Sequence, residues 1–392
     1  MIAIPPYFHG GTPAEKRVVA IYRNQLFKPS EPFIALQARH LSSFEPVFVG
    51  RERLGASPEG LHSIAIESRE QIGKFVHAVS GRSSGLNREV ARSRPSIVHA
   101  HFGVDALYGA SLAHSLRVPL IATLHGFDVT VRRSELLMSG SPALIRYGLL
   151  HWRLAKSAKR LLCVSEFIRR KAIDFGFPEE NLLTHYIGID LSQFTPTLRT
   201  RAETFRILHV ARLVEKKGTR YLLEALCRLP ERDRIHVHLD IIGEGALREQ
   251  LENMVLQNGI GGNVTFHGTR SQYDVREILA TADVLCLPSV TAANGDAEGL
   301  GMVVLEAAAS GVPVIATRHG GIPEAVVDGE TGMLLPERDA VALANAITFL
   351  VENEPARSRM GRNGRLHVER NFDVVKQCAV LEDIYREIVE AR

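Results

Sequence analysis

The sequence predicts an α/β protein built from two doubly wound domains that face each other across a cleft. Three observations carry this prediction. At 392 residues the chain exceeds one ordinary core and fits two domains of roughly 200 residues each. Short apolar, β-rich runs alternate with longer amphipathic segments throughout, the pattern of a parallel sheet covered by helices. Finally, a polar, aperiodic stretch at residues 194–204, "FTPTLRTRAET", contains Pro196 and separates two such series as a linker.

In the first half "RVVAIY", "PVFVG", "SIVHAH", "PLIATLH" and "RLLCVS" read as strands; in the second, "FRILHVA", "VHLDIIG", "NVTFHG", "DVLCLP", "VPVIAT" and "GMLLP". The final segment, "DVVKQCAVLEDIYREIVEA", has helical spacing at Val375, Val380, Ile384 and Ile388 and could pack on either domain. The expected divisions are residues 1–195, residues 196–373 and a C-terminal helix over 374–392. Open sheets of this kind bind ligands beyond the carboxyl ends of their strands, so strand-end motifs are the ones to read for function.

Charged residues at 23% and hydrophobic ones at 45% match a soluble globular protein. No uncharged apolar run approaches the length of about 20 residues that a spanning helix needs. The opening "MIAIPPYFHGGTPAEKR" lacks the charged and apolar regions of a signal peptide, so a cytoplasmic location is expected. Cys163, Cys227, Cys286 and Cys378 show no CxxC spacing and read as free thiols in a reducing compartment. Net charge is only +3, yet residues 1–195 hold 24 Lys and Arg against 16 Asp and Glu, which points to an anionic partner for the first half.

Two motifs stand at strand ends of the second half. "VARLVEKKG", residues 210–218, places Arg212 and Lys217 just before a helix start near Gly218, where cations and free N–H groups together suit a diphosphate. "EGLGM", residues 298–302, lets backbone approach a ligand at Gly299, Leu300 and Gly301 before a helix that begins near Met302. Carboxylates in apolar surroundings are costly unless paired or hydrogen-bonded. Glu298 on the turn and Glu306 about one helical turn inside therefore suit a polyol, with Glu298 accepting from sugar hydroxyls and Glu306 from a pair of ribose hydroxyls.

The ordered series "HVARLVEKKG", "GEG", "VTFHG", "ADVLCLPS", "EGLGMVVLEAAASGVPVIAT", "GGIPEAV" and "DGETGMLLP", roughly residues 205–336, resembles glycosyltransferase family 4, retaining enzymes of the two-domain GT-B fold. Glu298 and Glu306 stand at the family's Glu, seven residues, Glu spacing. The first half resembles the family more loosely, at "VHAHFG", "TLHGFD", "CVSEF" and "IGID". The resemblance implies two Rossmann-like domains, the first for the acceptor and the second for the nucleotide sugar. It implies that His125 meets the transferred sugar near the leaving diphosphate and that Asp190 stands where the domains meet; His101 and Ser165 are further acceptor-side candidates. One departure is that "VVAIY" runs into "RNQLFKPSEPFI" without the family's Gly-rich loop, the only nearby Gly pair, Gly10 and Gly11, lying before the strand. "SEPFI" and "SVTAANGDAEG" are similar to bacterial exopolysaccharide enzymes of the colanic acid and amylovoran pathways.

The resemblance implies transfer of a hexose from a UDP- or GDP-sugar, with same-face attack and the leaving phosphate helping to remove the acceptor's proton. Glu298, Arg212, Lys217 and His125 are the catalytic candidates. No cofactor, metal or nucleic acid is expected; no Asp-x-Asp occurs to bridge a metal to a diphosphate. No strand leads into G-x-G-x-x-G with an acid about 20 residues later, against a nicotinamide dehydrogenase. A non-catalytic partner subunit should lack the cations or glutamates that remain here, and a GT-B epimerase or phosphorylase shares the fold. The acceptor expected from the exopolysaccharide resemblance is a glycan on a polyprenyl diphosphate. The stretch "RYGLLHWRLAKSAKR", residues 146–160, is predicted as one helix with Leu150, Leu154 and Ala158 on one face and a basic margin around Trp152. Such a helix suits an anionic membrane surface, with Arg132, Arg133, Arg153 and Lys156 contacting lipid or acceptor phosphate.

Overall fold

The computed structural model describes residues 16–66, 77, 81, 83–197 and 204–391. Most of the linker stretch, and Gly10 and Gly11, lie outside the described residues.

The first domain holds strands β1 (Arg17–Tyr22), β3 (Phe44–Gly50), β5 (His62–Ala65), β6 (Pro95–His101), β7 (Leu120–Leu124), β8 (Ala158–Cys163) and β9 (Leu182–Thr184). They form one parallel sheet in the order β5-β3-β1-β6-β7-β8-β9. A separate parallel pair, β2 (Gln25–Leu26) with β4 (Glu52–Arg53), lies beyond its end. The second domain carries β10 (Phe205–Val210), β11 (Val237–Ile242), β12 (Val264–Gly268), β13 (Val284–Leu287), β14 (Val314–Thr317) and β15 (Gly332–Leu335) in the parallel order β12-β11-β10-β13-β14-β15. The central strands read as continuous apolar runs because helices cover both faces of each sheet. In both sheets the order reverses beside the first strand, between β1 and β6 and between β10 and β13, and a crevice opens at each switch point.

The C-terminal helix, Val374–Glu390, returns to the first domain. Its buried residues Val374, Cys378, Leu381 and Tyr385 pack on Phe44, Ile97, Ile121 and Leu162 beneath that sheet. The buried stripe differs from the predicted one: Val375 and Val380 are exposed, because the face turned inward starts one residue earlier. The helix Pro142–Ser157 also ends sooner than predicted, and Ala158 begins β8, so the 146–160 stretch is not one helix. All four cysteines are free, three buried and Cys227 half-buried.

Candidate active site

The two switch points face one another across a cleft of about 1230 Å³, lined from one side by Arg23, Phe102 and His125 and from the other by Arg212, Lys217, Glu298–Val303 and Glu306. On the second-domain wall β10 ends at Val210 and the chain makes a short 3-10 turn, Glu215–Lys217, before the helix Thr219–Arg228. That turn presents Lys216 and Lys217, and Arg212 stands in the loop just before it. Lys217 pairs with Glu298, and Lys216, nearly buried, pairs with Asp296 at 3.0 Å. Arg212 is exposed on the cleft with no hydrogen-bond or ion-pair partner among the described residues.

The two glutamates occupy opposite environments. Burial alone would push the Glu298 carboxyl up, but Lys217 and Lys216 reverse this and bring it to about 2. Glu306 is half-buried and its carboxyl has no hydrogen-bond partner among the described residues; burial pushes that carboxyl up to about 7, with only partial relief from Arg276. An ionised acid held by lysines and an unsatisfied acid at the same cleft are distinct chemical tools. The intervening glycines are required by contact and conformation. A Cβ on Gly299 would lie 2.0 Å from the His125 carbonyl oxygen, and Gly301 has φ +84° at the start of the helix Met302–Ala309. Gly299, Leu300, Gly301 and Met302 therefore bring the second domain's backbone against the first domain at the floor of the cleft.

His125 follows β7. Asp128 accepts from the backbone N–H groups of His125 at 3.1 Å, Gly126 at 2.9 Å and Gly103 at 2.8 Å, which locks the turn that carries the imidazole. The ring stacks on Phe102 with centroids 4.3 Å apart, and its Nε2 lies 3.0 Å from His101 Nδ1. Burial, reinforced by Arg23 and His99, holds its pKa well below the usual range, so the imidazole is neutral. His101 is itself buried behind His125 and reaches the cleft only through it. Where a Gly-rich loop is absent, Arg23 follows β1, ion-paired with Asp105 and, at 2.6 Å, with Glu31, and lies 4.1 Å over the Phe102 ring.

Other predicted residues do not line the cleft. Ser165 is fully buried: it caps the helix Glu166–Phe175 by accepting from Ile168 N and donates to the Gly299 carbonyl at 2.6 Å, so its hydroxyl is committed to joining the domains. Asp190 sits at the chain crossing, where Ile189 bridges Asp373, and accepts from Ser192 and Gln193 outside the cleft. Arg132 and Arg133 bind the carbonyls of Ala293 and Gly148. Arg153 and Lys156 lie over Trp152 at 5.3 and 5.1 Å on the outer face of their helix. Arg146, the first residue of the 146–160 stretch, lies over Tyr108 at 4.9 Å.

Sequence reasoning missed Lys216, Asp296, Asp128, Arg23 and Glu324. The paired lysines of "VEKKG" and an Asp three residues past His125 in "HGFD" were available signals, the latter because Asp commonly accepts from nearby backbone N–H groups at turns. Glu324 had no local signal: its carboxylate crosses to the first domain and accepts from Glu166 N at 2.7 Å, Phe167 N at 2.9 Å and Tyr186 OH at 3.0 Å. Among the described residues no three His, Cys, Asp or Glu side chains are grouped to hold a metal ion.

Comparison with known proteins matches the family described as Glycosyltransferase Family 4 to residues 37–193 and that described as Glycosyl transferases group 1 to residues 194–367. The chain is 32% identical over 284 residues to the protein named "Putative colanic acid biosynthesis glycosyltransferase WcaL" of Escherichia coli (strain K12), covering 71% of this chain and 68% of that one. It is 34% identical over 274 residues to the amylovoran biosynthesis glycosyltransferase AmsK of Erwinia amylovora, covering 70% and 65%. In fold it is similar to sucrose-phosphate synthase of Thermosynechococcus elongatus, with TM-score 0.77, 21% identity, and 96% and 100% of the two chains covered. It is likewise similar to Anabaena Alr3699/HepE in complex with UDP-glucose, with TM-score 0.75, 20% identity, and 94% and 99% covered. The paired family matches, the extent of the WcaL similarity and the two facing parallel sheets together place this chain among the family 4 glycosyltransferases of GT-B fold.

Proposed function

We propose that the chain is a retaining hexosyltransferase that uses a UDP- or GDP-sugar and extends a polyprenyl-diphosphate-linked glycan in exopolysaccharide synthesis. The observation that carries this reading is the grouping, on one wall of the cleft, of the Lys217–Glu298 pair with Arg212 and Glu306, whose charged groups have no hydrogen-bond or ion-pair partner among the described residues. Ribose hydroxyls donate to Glu306 and relieve its desolvation. The diphosphate takes Arg212 and competes for Lys217, which frees Glu298 to accept from a hydroxyl of the sugar. In the chemical step the bond from the sugar's anomeric carbon to the β-phosphate oxygen breaks and its electron pair stays on phosphate. The acceptor oxygen forms the new bond on the same face, and its proton passes to the leaving phosphate. Charge grows on that phosphate in the transition state, where Arg212, Lys217 and the N–H groups near Gly301 oppose it without a metal. His125, neutral and across the cleft, contacts the transferred sugar.

The pathway assignment is supported by the names of WcaL and AmsK, and a uridine donor by the UDP complexes of HepE. Peripheral attachment to an anionic membrane is supported by the outer face of Pro142–Ser157, where Leu149 and Trp152 are 52% and 45% exposed beside Arg153 and Lys156. Among the described residues no helix is long and apolar enough to cross a membrane. A thermal-shift and turnover panel of UDP- and GDP-sugars tests the function. At least one nucleotide sugar should raise the melting temperature by mass action and be consumed; no shift and no consumption across the panel refutes the reading.

A further inference from the structure

The carboxyl ends of three neighbouring strands of the second domain supply a network that ends on Glu298. After β13, Thr291 donates from its backbone N–H to Glu337 Oε2 at 2.8 Å and from its hydroxyl to Oε1 at 3.3 Å. Glu337 itself stands just after β15. After β14, His319 is 2% exposed and places Nδ1 2.7 Å from Glu337 Oε1. Its Nε2 accepts the backbone N–H of Glu298 at 3.1 Å. Because a peptide N–H can only donate, that Nε2 is unprotonated and the ring proton lies on Nδ1, directed at the carboxylate. The same turn holds the following peptide group, since Gly321 N donates to the Glu298 carbonyl at 3.1 Å.

We infer that His319, oriented by Glu337, is a positioning residue that fixes the backbone of Glu298, and through it the carboxylate's reach toward the donor sugar. The inference rests on the proposed role of Glu298. That glutamate lies in a turn with glycines on either side of its motif, Gly295 and Gly299, so local stiffness does not by itself fix its side chain. Holding both peptide groups of Glu298 from a packed strand end supplies what the turn lacks. Lys217 then finds the carboxylate in one place, and the donor meets a preset acceptor.

The test uses the full chain, with turnover followed on the UDP- or GDP-sugar consumed in the panel and binding followed with free UDP and GDP. In His319→Gln the side-chain oxygen can stand where Nε2 stands and accept the Glu298 N–H. In His319→Asn the side chain is too short to do so. Turnover should fall about a hundredfold in the Asn variant and return to within about fivefold of wild type in the Gln variant, as displacement of a reacting group by roughly 1 Å predicts. Affinity for the free nucleotide should fall far less than turnover in the Asn variant, because Arg212 and Glu306 lie outside this network and only Lys217, the partner of Glu298, touches it. Adding His319→Asn to Glu298→Gln should cost nothing further. Equal turnover in the Asn and Gln variants, whether reduced or normal, overturns the positioning role. Normal turnover in Glu298→Gln overturns instead the role proposed for Glu298. A measurement independent of turnover is ¹⁵N NMR of histidine-labelled unmodified protein, with the His319 resonance assigned by its absence from folded His319→Gln: it must show an unprotonated Nε2, and a protonated Nε2 contradicts the inference.

Discussion

If Glu306 takes the ribose hydroxyls as proposed, donor binding should depend on pH. Its carboxyl, ordinarily near 4.5, is pushed up to about 7 by burial without a hydrogen-bond partner. A raised folded-state pKa means that the folded chain binds more protons than the unfolded chain between these values. Its contribution to stability is therefore present below pH 4.5 and lost as the pH rises through about 7, with about 3 kcal/mol at stake. Ribose hydroxyls donate to the ionised form, so donor affinity runs the other way. At pH 6 only about one tenth of Glu306 is ionised, and the apparent Kd should be about tenfold weaker than at pH 8. The assay is isothermal calorimetry with an intact nucleotide sugar, whose diester phosphates do not titrate in this range, in two buffers of different ionisation enthalpy to count the proton released. Glu306→Gln should bind weakly with no such pH slope, and should raise the ligand-free melting temperature at pH 8 but not at pH 5. A wild-type Kd that is flat from pH 6 to 8, or a Glu306→Gln variant with the same slope, refutes the reasoning.

Lys217→Ala should leave Glu298 without its ion pair and slow turnover more than it weakens nucleotide binding, because the charge met by Lys217 grows in the transition state; steady-state kinetics with kcat unchanged would remove Lys217 from the chemical step. Arg212→Ala should behave similarly with little effect on melting temperature, since Arg212 holds no protein partner among the described residues. His125→Ala should lower kcat and leave UDP or GDP affinity largely intact by calorimetry; loss of nucleotide binding would mark the histidine as structural. Glu324→Ala should orphan three donors of the first domain and cost about 1–3 kcal/mol of stability, read by urea denaturation. Sedimentation with anionic liposomes should carry the protein down at low salt and release it at 1 M, where screening shortens to about 3 Å; no sedimentation at low salt ends the membrane proposal alone.

The central strands were legible because burial on both faces leaves an unbroken apolar run: "RVVAIY" and "VPVIAT" announce themselves. The edge strands β5 and β9 were not, being three or four residues long, partly exposed and without an apolar run. The C-terminal helix was recognisable, but its phase was misread because Val375 and Val380 are as apolar as the buried Cys378 and Leu381 and nothing local says which stripe finds a partner. In the site, Glu298, Glu306, Arg212 and Lys217 were readable from chemistry that an ordinary core avoids. Supporting residues such as His319, which takes the Glu298 N–H, and Glu324, which crosses to the first domain, act through contacts between segments distant in sequence, which leave no pattern in the chain. Ser165 was drawn in by its motif, yet a fully buried hydroxyl that caps one helix and bonds Gly299 has nothing left to offer an acceptor.

The most direct test of glycosyl transfer with retention is the anomeric configuration of the sugar released when the chain hydrolyses an α-linked nucleotide sugar in the absence of acceptor, recorded by ¹H NMR before mutarotation. Same-face attack beside Glu298 and the leaving phosphate predicts that the first sugar detected is the α anomer and that Glu298→Gln releases far less of it. A β anomer as the first product contradicts the mechanism.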